Sequence, residues 1–132
     1  MANRRRVAAL LEMANEDLAG ASALLGISTR LARYHVQQSA EKAVKAFLEL
    51  RGLNPGREHR FESLAEMLPQ GDQWRGRIQS LDSLSPAATA LRYPTTEGRI
   101  MPPPARKLVE EEIGTVVALI EEVRRAASEL SG

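Results

Sequence analysis

The chain has 132 residues, a length that predicts one domain over residues 1–132 with a core that buries roughly two-thirds of the unfolded surface. Hydrophobic residues make up 43% and aromatic residues only 4%, so a core of small and aliphatic side chains is expected, which suits packed helices better than a β-sandwich. The absence of cysteine excludes disulfides and thiolate chemistry, and a net charge of +1 means that any phosphate binding must come from a local cluster.

The first predicted helix runs from about Arg4 to Leu25, because apolar residues recur there every three or four positions. Gly26 is suited to the left-handed residue that closes such a helix, and Ile27 is expected to fold back as its hydrophobic contact. The segment starts with basic residues, and acidic residues interrupt its apolar positions. It is therefore predicted to be neither a signal peptide nor a membrane span, and we expect a cytoplasmic protein.

The second predicted helix begins with Ser28 or Thr29 as its N-cap and reaches Arg51. Gly52 repeats the stop signal, and residues 54–56, Asn-Pro-Gly, are typical of a turn.

Two shorter helices and one long helix follow. We expect the short ones at Phe61 to Leu68 and Trp74 to about Leu84, with a continuation or a turn from Pro86 to Leu91. A proline-rich loop over residues 92–104 precedes the last helix. The predicted inward positions of these three helices are Phe61, Leu64, Ala65, Leu68, Ile78, Leu81, Val109, Ile113, Val116, Val117, Ile120, Val123 and Ala127. No strand pattern is seen, so the prediction is an all-α bundle in which neighbouring helices run antiparallel.

The second helix also carries a sequence motif. Tyr34 is followed by Gln-Gln-Ser-Ala-Glu-Lys-Ala-Val-Lys-Ala over residues 37–46. This run resembles the signature of HEPN domains, in which an aromatic residue precedes Gln-Ala-Glu-Lys-Ala-x-Lys-Ala. His59 after the turn, residues 92–94 (Arg-Tyr-Pro) after the fourth helix, and residues 17–18 (Asp-Leu) in the first helix also fit. The resemblance therefore covers nearly the whole chain.

The resemblance implies a bundle of four up-and-down main helices with an additional short helix, and a homodimer. It also implies a nucleotide- or RNA-related binding module that pairs with a small nucleotidyltransferase in a toxin–antitoxin-like system. Some family members are metal-independent ribonucleases that use a closely spaced arginine and histidine in a late helix. This chain has no histidine after Arg92, and the similarly spaced Arg30 and His35 lie in the second helix instead, where the match is interpreted as chance.

One face of the second helix is polar. Tyr34, Gln38, Glu41 and Lys45 fall within one narrow stripe, which we call the polar stripe. The opposite, core-facing positions are predicted to be Val36, Ala40, Ala43, Phe47 and Leu50. One interpretation of the polar stripe is a solvated face with an ordinary ion pair between Glu41 and Lys45, and another is a protein–protein face.

A third interpretation is a phosphate site, in which the polar stripe and Lys42 form a groove completed by Arg92 and Tyr93. The cations would meet phosphate oxygens, and Tyr34 or Tyr93 could stack on a base. Alternatively, Arg92 pairs with Glu41 inside the bundle and anchors the long loop.

His59 is interpreted either as a capping or structural residue or as the proton-transfer group of a ribonuclease. In that second case Arg92 would stabilise the charge on the phosphate. With two histidines and no suitably spaced carboxylates, we expect no metal site and no cofactor. A purely structural dimerisation domain is the remaining alternative.

Overall fold

The protein is an all-α bundle, as predicted. The structure is a computed structural model that describes residues 2–84 and 93–131. The described helices are α1 (Arg4–Leu24), α2 (Thr29–Leu50), α3 (Phe61–Ala65), α4 (Gln73–Gln79), a 3-10 helix (Ser80–Leu84) and α5 (Arg106–Ser131). Within these ranges there is no β-strand, and none of the helices combines the length and apolar character that crossing a membrane requires.

The helix directions follow from contacts at the two ends of the bundle. A short turn joins α1 to α2, so these helices run antiparallel. At one end Arg33 of α2 forms a two-pronged ion pair with Glu112 of α5, at 3.0 and 2.9 Å. At the other end Arg4 of α1 donates to the carbonyl of Leu130. Helix α5 therefore runs parallel to α2, and the segment that holds α3 and α4 must carry the chain back along the bundle.

Helix α2 is the centre of the fold. All eight residues from Ala43 to Leu50 are buried, because α1, α3 and α5 contact it from different sides. The Phe47 ring stacks on Trp74 with 3.9 Å between the ring centroids. The predicted core positions of α2, α3 and the fourth helix are confirmed as buried: Val36, Ala40, Ala43, Phe47, Leu50, Phe61, Leu64, Ala65, Leu68, Ile78 and Leu81.

The predicted end of α1 is wrong in detail. The helix ends at Leu24, Gly26 has no positive φ, and Ile27 is 79% exposed and so makes no folded-back contact. The backbone N–H groups of Ile27 and Ser28 both donate to the Leu24 carbonyl. This right-handed turn leads directly to Ser28, whose hydroxyl caps α2 by accepting from Leu31. A left-handed closing residue is therefore not needed, whereas Gly52 after α2 does adopt φ 80°.

Three other predictions differ from the structure. The predicted fourth helix, from Trp74 to about Leu84, is α-helical only as α4 and continues from Ser80 to Leu84 as a 3-10 helix. Helix α3 ends at Ala65 and continues to Leu68 only as a turn. In α5, Val117 is 47% exposed while Leu119 is fully buried, because the inward face is centred on Val116, Leu119 and Val123. The predicted continuation from Pro86 to Leu91 lies outside the described residues.

Candidate functional site

Two of the four residues of the polar stripe are buried. The side chains of Glu41 and Lys45 are only 8% and 10% exposed, so the interpretation of a solvated face is wrong for these two residues. The reason is the connection after α2, which folds back over the helix instead of leaving it. Lys45 Nζ donates to the carbonyl of Gly56 at 3.1 Å, and the φ of 58° at Gly56 shapes the turn that brings this carbonyl into reach.

Glu41 is the centre of a compact hydrogen-bond network. Its Oε1 accepts from Gln37 Nε2 at 3.3 Å, and its Oε2 lies 3.4 Å from Lys45 Nζ and 2.9 Å from His59 Nδ1. Gln38 in turn donates to the Gln37 amide oxygen at 2.8 Å. A buried carboxylate is strongly destabilising unless such partners compensate its charge. The network therefore holds a charged group inside the bundle with its hydrogen-bonding capacity satisfied.

His59 is the exposed end of this network, because its side chain is 72% exposed while Glu41 is buried. A ring that donates from Nδ1 to the Glu41 carboxylate keeps Nε2 as its second nitrogen, which accepts a hydrogen bond in the neutral imidazole and donates one in the protonated imidazole. The predicted capping role is not observed, since Arg60 is the N-cap residue of α3 and no side chain caps that helix. The structure thus identifies Glu41 as the carboxylate that orients the imidazole, a partner that the sequence alone did not reveal.

Two exposed arginines flank His59 in the sequence. Arg57 is exposed, and the Arg60 side chain is 76% exposed and pairs with Glu58 at 3.2 Å. A hydrogen bond from Ser63 lowers the pKa of Glu58, with further contributions from the His59 backbone N–H and from Arg60. Sequence reasoning missed both arginines, although the run Arg-Glu-His-Arg over residues 57–60 was the available signal. We call Arg57, His59 and Arg60 the His59 surface.

Lys42 lies apart from this network, because one residue along a helix turns the side chain by more than a quarter of a circle. It pairs with Asp17 across the contact between α1 and α2. The same carboxylate lies 3.6 Å from Nδ1 of His35, whose ring meets Tyr34 edge-on. The residues Asp17 and Lys42 of the motif therefore join two helices.

The remaining predicted site residues are only partly described. Tyr34 and Gln38 are half-buried, and Tyr93 is 65% exposed. Arg92 lies outside the described residues, as does its predicted pairing with Glu41. In the described ranges, no three His, Asp or Glu side chains are grouped as a metal site requires.

Comparisons with known proteins give a consistent result. A family model described as HEPN domain matches residues 7–130. The crystal structure of TT1696 from Thermus thermophilus is similar, with a TM-score of 0.73, 25% identity, and coverage of 91% of this chain and 97% of that one. The crystal structure of ST0689, an archaeal HEPN homologue, has a TM-score of 0.62 and 22% identity, with coverage of 92% and 97%. No curated protein matches the chain.

Proposed function

This chain belongs to the HEPN domain family, and from that premise we propose that it is a nucleotide- or RNA-binding module that receives phosphate groups at the His59 surface. The observation that carries the proposal is the 2.9 Å contact between the buried Glu41 carboxylate and Nδ1 of the exposed His59. A ring that is already held in one orientation loses little conformational freedom when a ligand arrives.

The residues around the ring have separate roles in this proposal. Arg57 and Arg60 contact phosphate oxygens, for which the planar guanidinium is well suited. Glu41 and Lys45 are too buried to reach a large ligand. Glu41 instead positions the His59 ring, and Lys45 positions the backbone at Gly56.

The half-buried Tyr34 and Gln38 line the same side of α2, next to Glu41. The exposed Tyr93 offers a face on which a base can stack. Arg92, next to it in sequence, adds a further cation, whereas Lys42 is paired with Asp17 and lies apart from this surface.

Calorimetric titration of ATP, GTP and a short single-stranded RNA tests this proposal. We expect saturable, salt-sensitive binding by the wild type at micromolar or weaker affinity. The double variant Arg57→Ala/Arg60→Ala should bind about tenfold more weakly, which corresponds to ~1.4 kcal/mol for two exposed charge-assisted contacts. The double variant Arg106→Ala/Lys107→Ala is the matched control, since it removes two exposed cations from the start of α5.

Two results would contradict the proposal. One is the absence of heat with all three ligands in the wild type. The other is an equal loss of affinity in both double variants, because this would indicate general electrostatic attraction without a site.

A metal-independent endoribonuclease is the second candidate function, and the same Glu41–His59 contact favours it. A carboxylate that orients an imidazole is the usual support of a general base. His59 would take the proton from an RNA 2′-hydroxyl, whose oxygen would attack the adjacent phosphorus as the bond to the 5′-oxygen breaks. The departing 5′-oxygen would take a proton from water, and nearby arginines would stabilise the phosphate charge. RNA cleavage that persists in EDTA and is lost in His59→Ala would support this candidate, whereas uncleaved RNA under both conditions would eliminate it.

The partner proposals extend the family resemblance. We propose that the chain forms a homodimer and binds a small nucleotidyltransferase in a toxin–antitoxin-like pair in the cytoplasm. Co-expression with the product of the adjacent reading frame should yield a complex that co-purifies. Expression of the chain alone should slow growth, and the partner should relieve the effect. Independent purification of the two products and unchanged growth would contradict this pairing.

A further inference from the structure

An open apolar groove of about 730 Å³ lies between the first half of α1 and the last turns of α5. Its floor is formed by the buried side chains of Val7, Leu11 and Leu50. The exposed Ala8 of α1 and the half-buried Ala127 of α5 form its walls. Because small alanines leave the two helices with little between them, the groove is accessible to another helix surface.

The rim of the groove carries charges of opposite sign on opposite walls. Glu12 lies on the α1 wall and Arg124 on the α5 wall. Both are exposed, and within the described part of the chain Glu12 forms no ion pair across the groove. Arg124 instead contacts Glu121 one turn back on its own helix, at 2.6 Å.

These two charges stand at nearly the same height along the bundle. Arg4 donates to the carbonyl of Leu130, which places the start of α1 beside the end of the antiparallel α5, within the length of one arginine side chain. Glu12 lies eight residues beyond Arg4, and Arg124 lies six residues before Leu130. At roughly 1.5 Å per residue they rise roughly 12 and 9 Å from that end of the bundle. The difference is small compared with the reach of an arginine side chain.

We propose that this groove is the surface through which a second copy of the chain binds. A two-fold axis parallel to the groove places Glu12 of each copy opposite Arg124 of the other, so one contact forms twice. Such self-complementarity is what an interface between identical surfaces requires. The same arrangement also removes the apolar floor of the groove from solvent. The charges on the rim alone would give no reason for an apolar floor.

This inference rests on the homodimer in the proposed function, but it involves a different surface from ligand binding. Leu50 and Glu41 are nine residues apart in α2, which is two and a half turns, so they lie on opposite sides of the helix. A dimer formed through the groove therefore leaves the His59 surface open on each copy.

Charge reversal tests the geometry. Size-exclusion chromatography with light scattering is run over a concentration series on the wild type, Glu12→Arg, Arg124→Glu, the double variant, and an equimolar mixture of the single variants. We expect a dimer for the wild type and at least about tenfold weaker association for each single variant, since like charges then face each other. The double variant and the mixture should both dimerise again, because each restores opposite charges across the interface.

Glu16→Arg and Arg125→Glu are the matched controls, because they reverse exposed charges on the same two helices outside the groove. Thermal melting of every variant separates dissociation from unfolding. A wild type that stays monomeric overturns both the homodimer and the groove. A dimer that the single variants leave intact, or that the mixture fails to restore, overturns the groove alone. Nucleotide titration into the monomeric variants reports independently on the His59 surface.

Discussion

Charged side chains have opposite environments on the two sides of α2. On the Glu41 side the ionic groups of the helix are buried and satisfied by one another, and the ring of His59 carries the network to solvent. On the Leu50 side the helix is apolar, and the ionic groups that line the groove stand exposed on neighbouring helices. Buried charges with fixed partners serve to position other groups, whereas exposed charges around an apolar groove remain able to meet a partner. In the functions proposed above, the Glu41 side of α2 therefore positions the ligand and the Leu50 side supports assembly.

The largest effect is expected on the Glu41 side. Glu41→Ala removes the carboxylate that balances the buried Lys45 ammonium, so the free energy of unfolding should fall by about 4 kcal/mol. The double variant Glu41→Leu/Lys45→Met should recover most of that loss, because two apolar side chains leave no buried charge. Urea denaturation measures both. A loss below about 1 kcal/mol in Glu41→Ala would mean that the network is more hydrated than its burial indicates.

On the other side, Leu50→Ala and Leu48→Ala form a matched pair within α2. Both side chains are buried, so each truncation should lower the free energy of unfolding by about 2.5 kcal/mol. Of the two, only Leu50 lies on the floor of the groove. Dimerisation should therefore weaken in Leu50→Ala and remain unchanged in Leu48→Ala, as measured by light scattering. Equal effects on dimerisation would indicate that association depends on overall stability instead of this surface.

A smaller effect on stability is expected for His59→Ala. The ring is mostly exposed, so its contact with Glu41 should contribute less than about 1 kcal/mol to folding. The same variant should nevertheless bind nucleotide about tenfold more weakly, a cost of ~1.4 kcal/mol in binding. Urea denaturation and calorimetry of one preparation give both values. A large stability loss with unchanged binding would make His59 a structural residue.

The smallest effect concerns the exposed pair between Arg51 and Asp72, which provides a reference for the buried network. A hydrogen bond from Arg51, together with the Trp74 backbone N–H, lowers the pKa of Asp72 below its ordinary value of 3.8. A carboxyl group with a lowered folded-state pKa stabilises the fold above its unfolded-state pKa, and this contribution is lost as the pH falls through the lowered value.

Wild type and Arg51→Ala should therefore differ slightly in stability near neutral pH, and the difference should shrink below about pH 4. Urea denaturation at a series of pH values measures it. A difference that persists in strong acid would instead be due to the contact of Arg51 with the Phe47 ring, at 4.8 Å.

The sequence was sufficient to predict most of the fold. Periodic apolar residues predicted the long helices and their buried faces, because helix geometry alone determines which sequence spacings place residues on the same face of a helix. The sequence was not sufficient at the α1–α2 turn. A glycine after a helix favours a left-handed end, but here two backbone hydrogen bonds to the Leu24 carbonyl close the turn without a left-handed Gly26. Val117 was wrongly predicted to point inward, and the buried Leu119 was not among the predicted core positions, because spacing does not determine where the centre of a buried face lies.

The candidate site was predicted as a stripe of residue types on α2, extended by Lys42, Arg92 and Tyr93, with His59 as a separate candidate. The steps between Tyr34, Gln38, Glu41 and Lys45 placed these residues on one side of α2, which the structure confirms. That Glu41 and Lys45 are buried depends on the loop folding back through Gly56, a tertiary contact with no local signal. The groove was not foreseen either, since it arises from the separation of two helices that are distant in sequence.

The most direct test of the account uses the fact that the chain has only two histidines. Long-range nitrogen–proton NMR spectra of the imidazole rings report the tautomer of each ring and its response to ATP or a short RNA. For the free protein we predict a His59 ring protonated at Nδ1. On titration its signals should shift while those of His35, held between α1 and α2, stay in place. A His59 ring that lacks a proton at Nδ1, or signals that do not respond to either ligand, would contradict the claim that Glu41 presents this ring to phosphate.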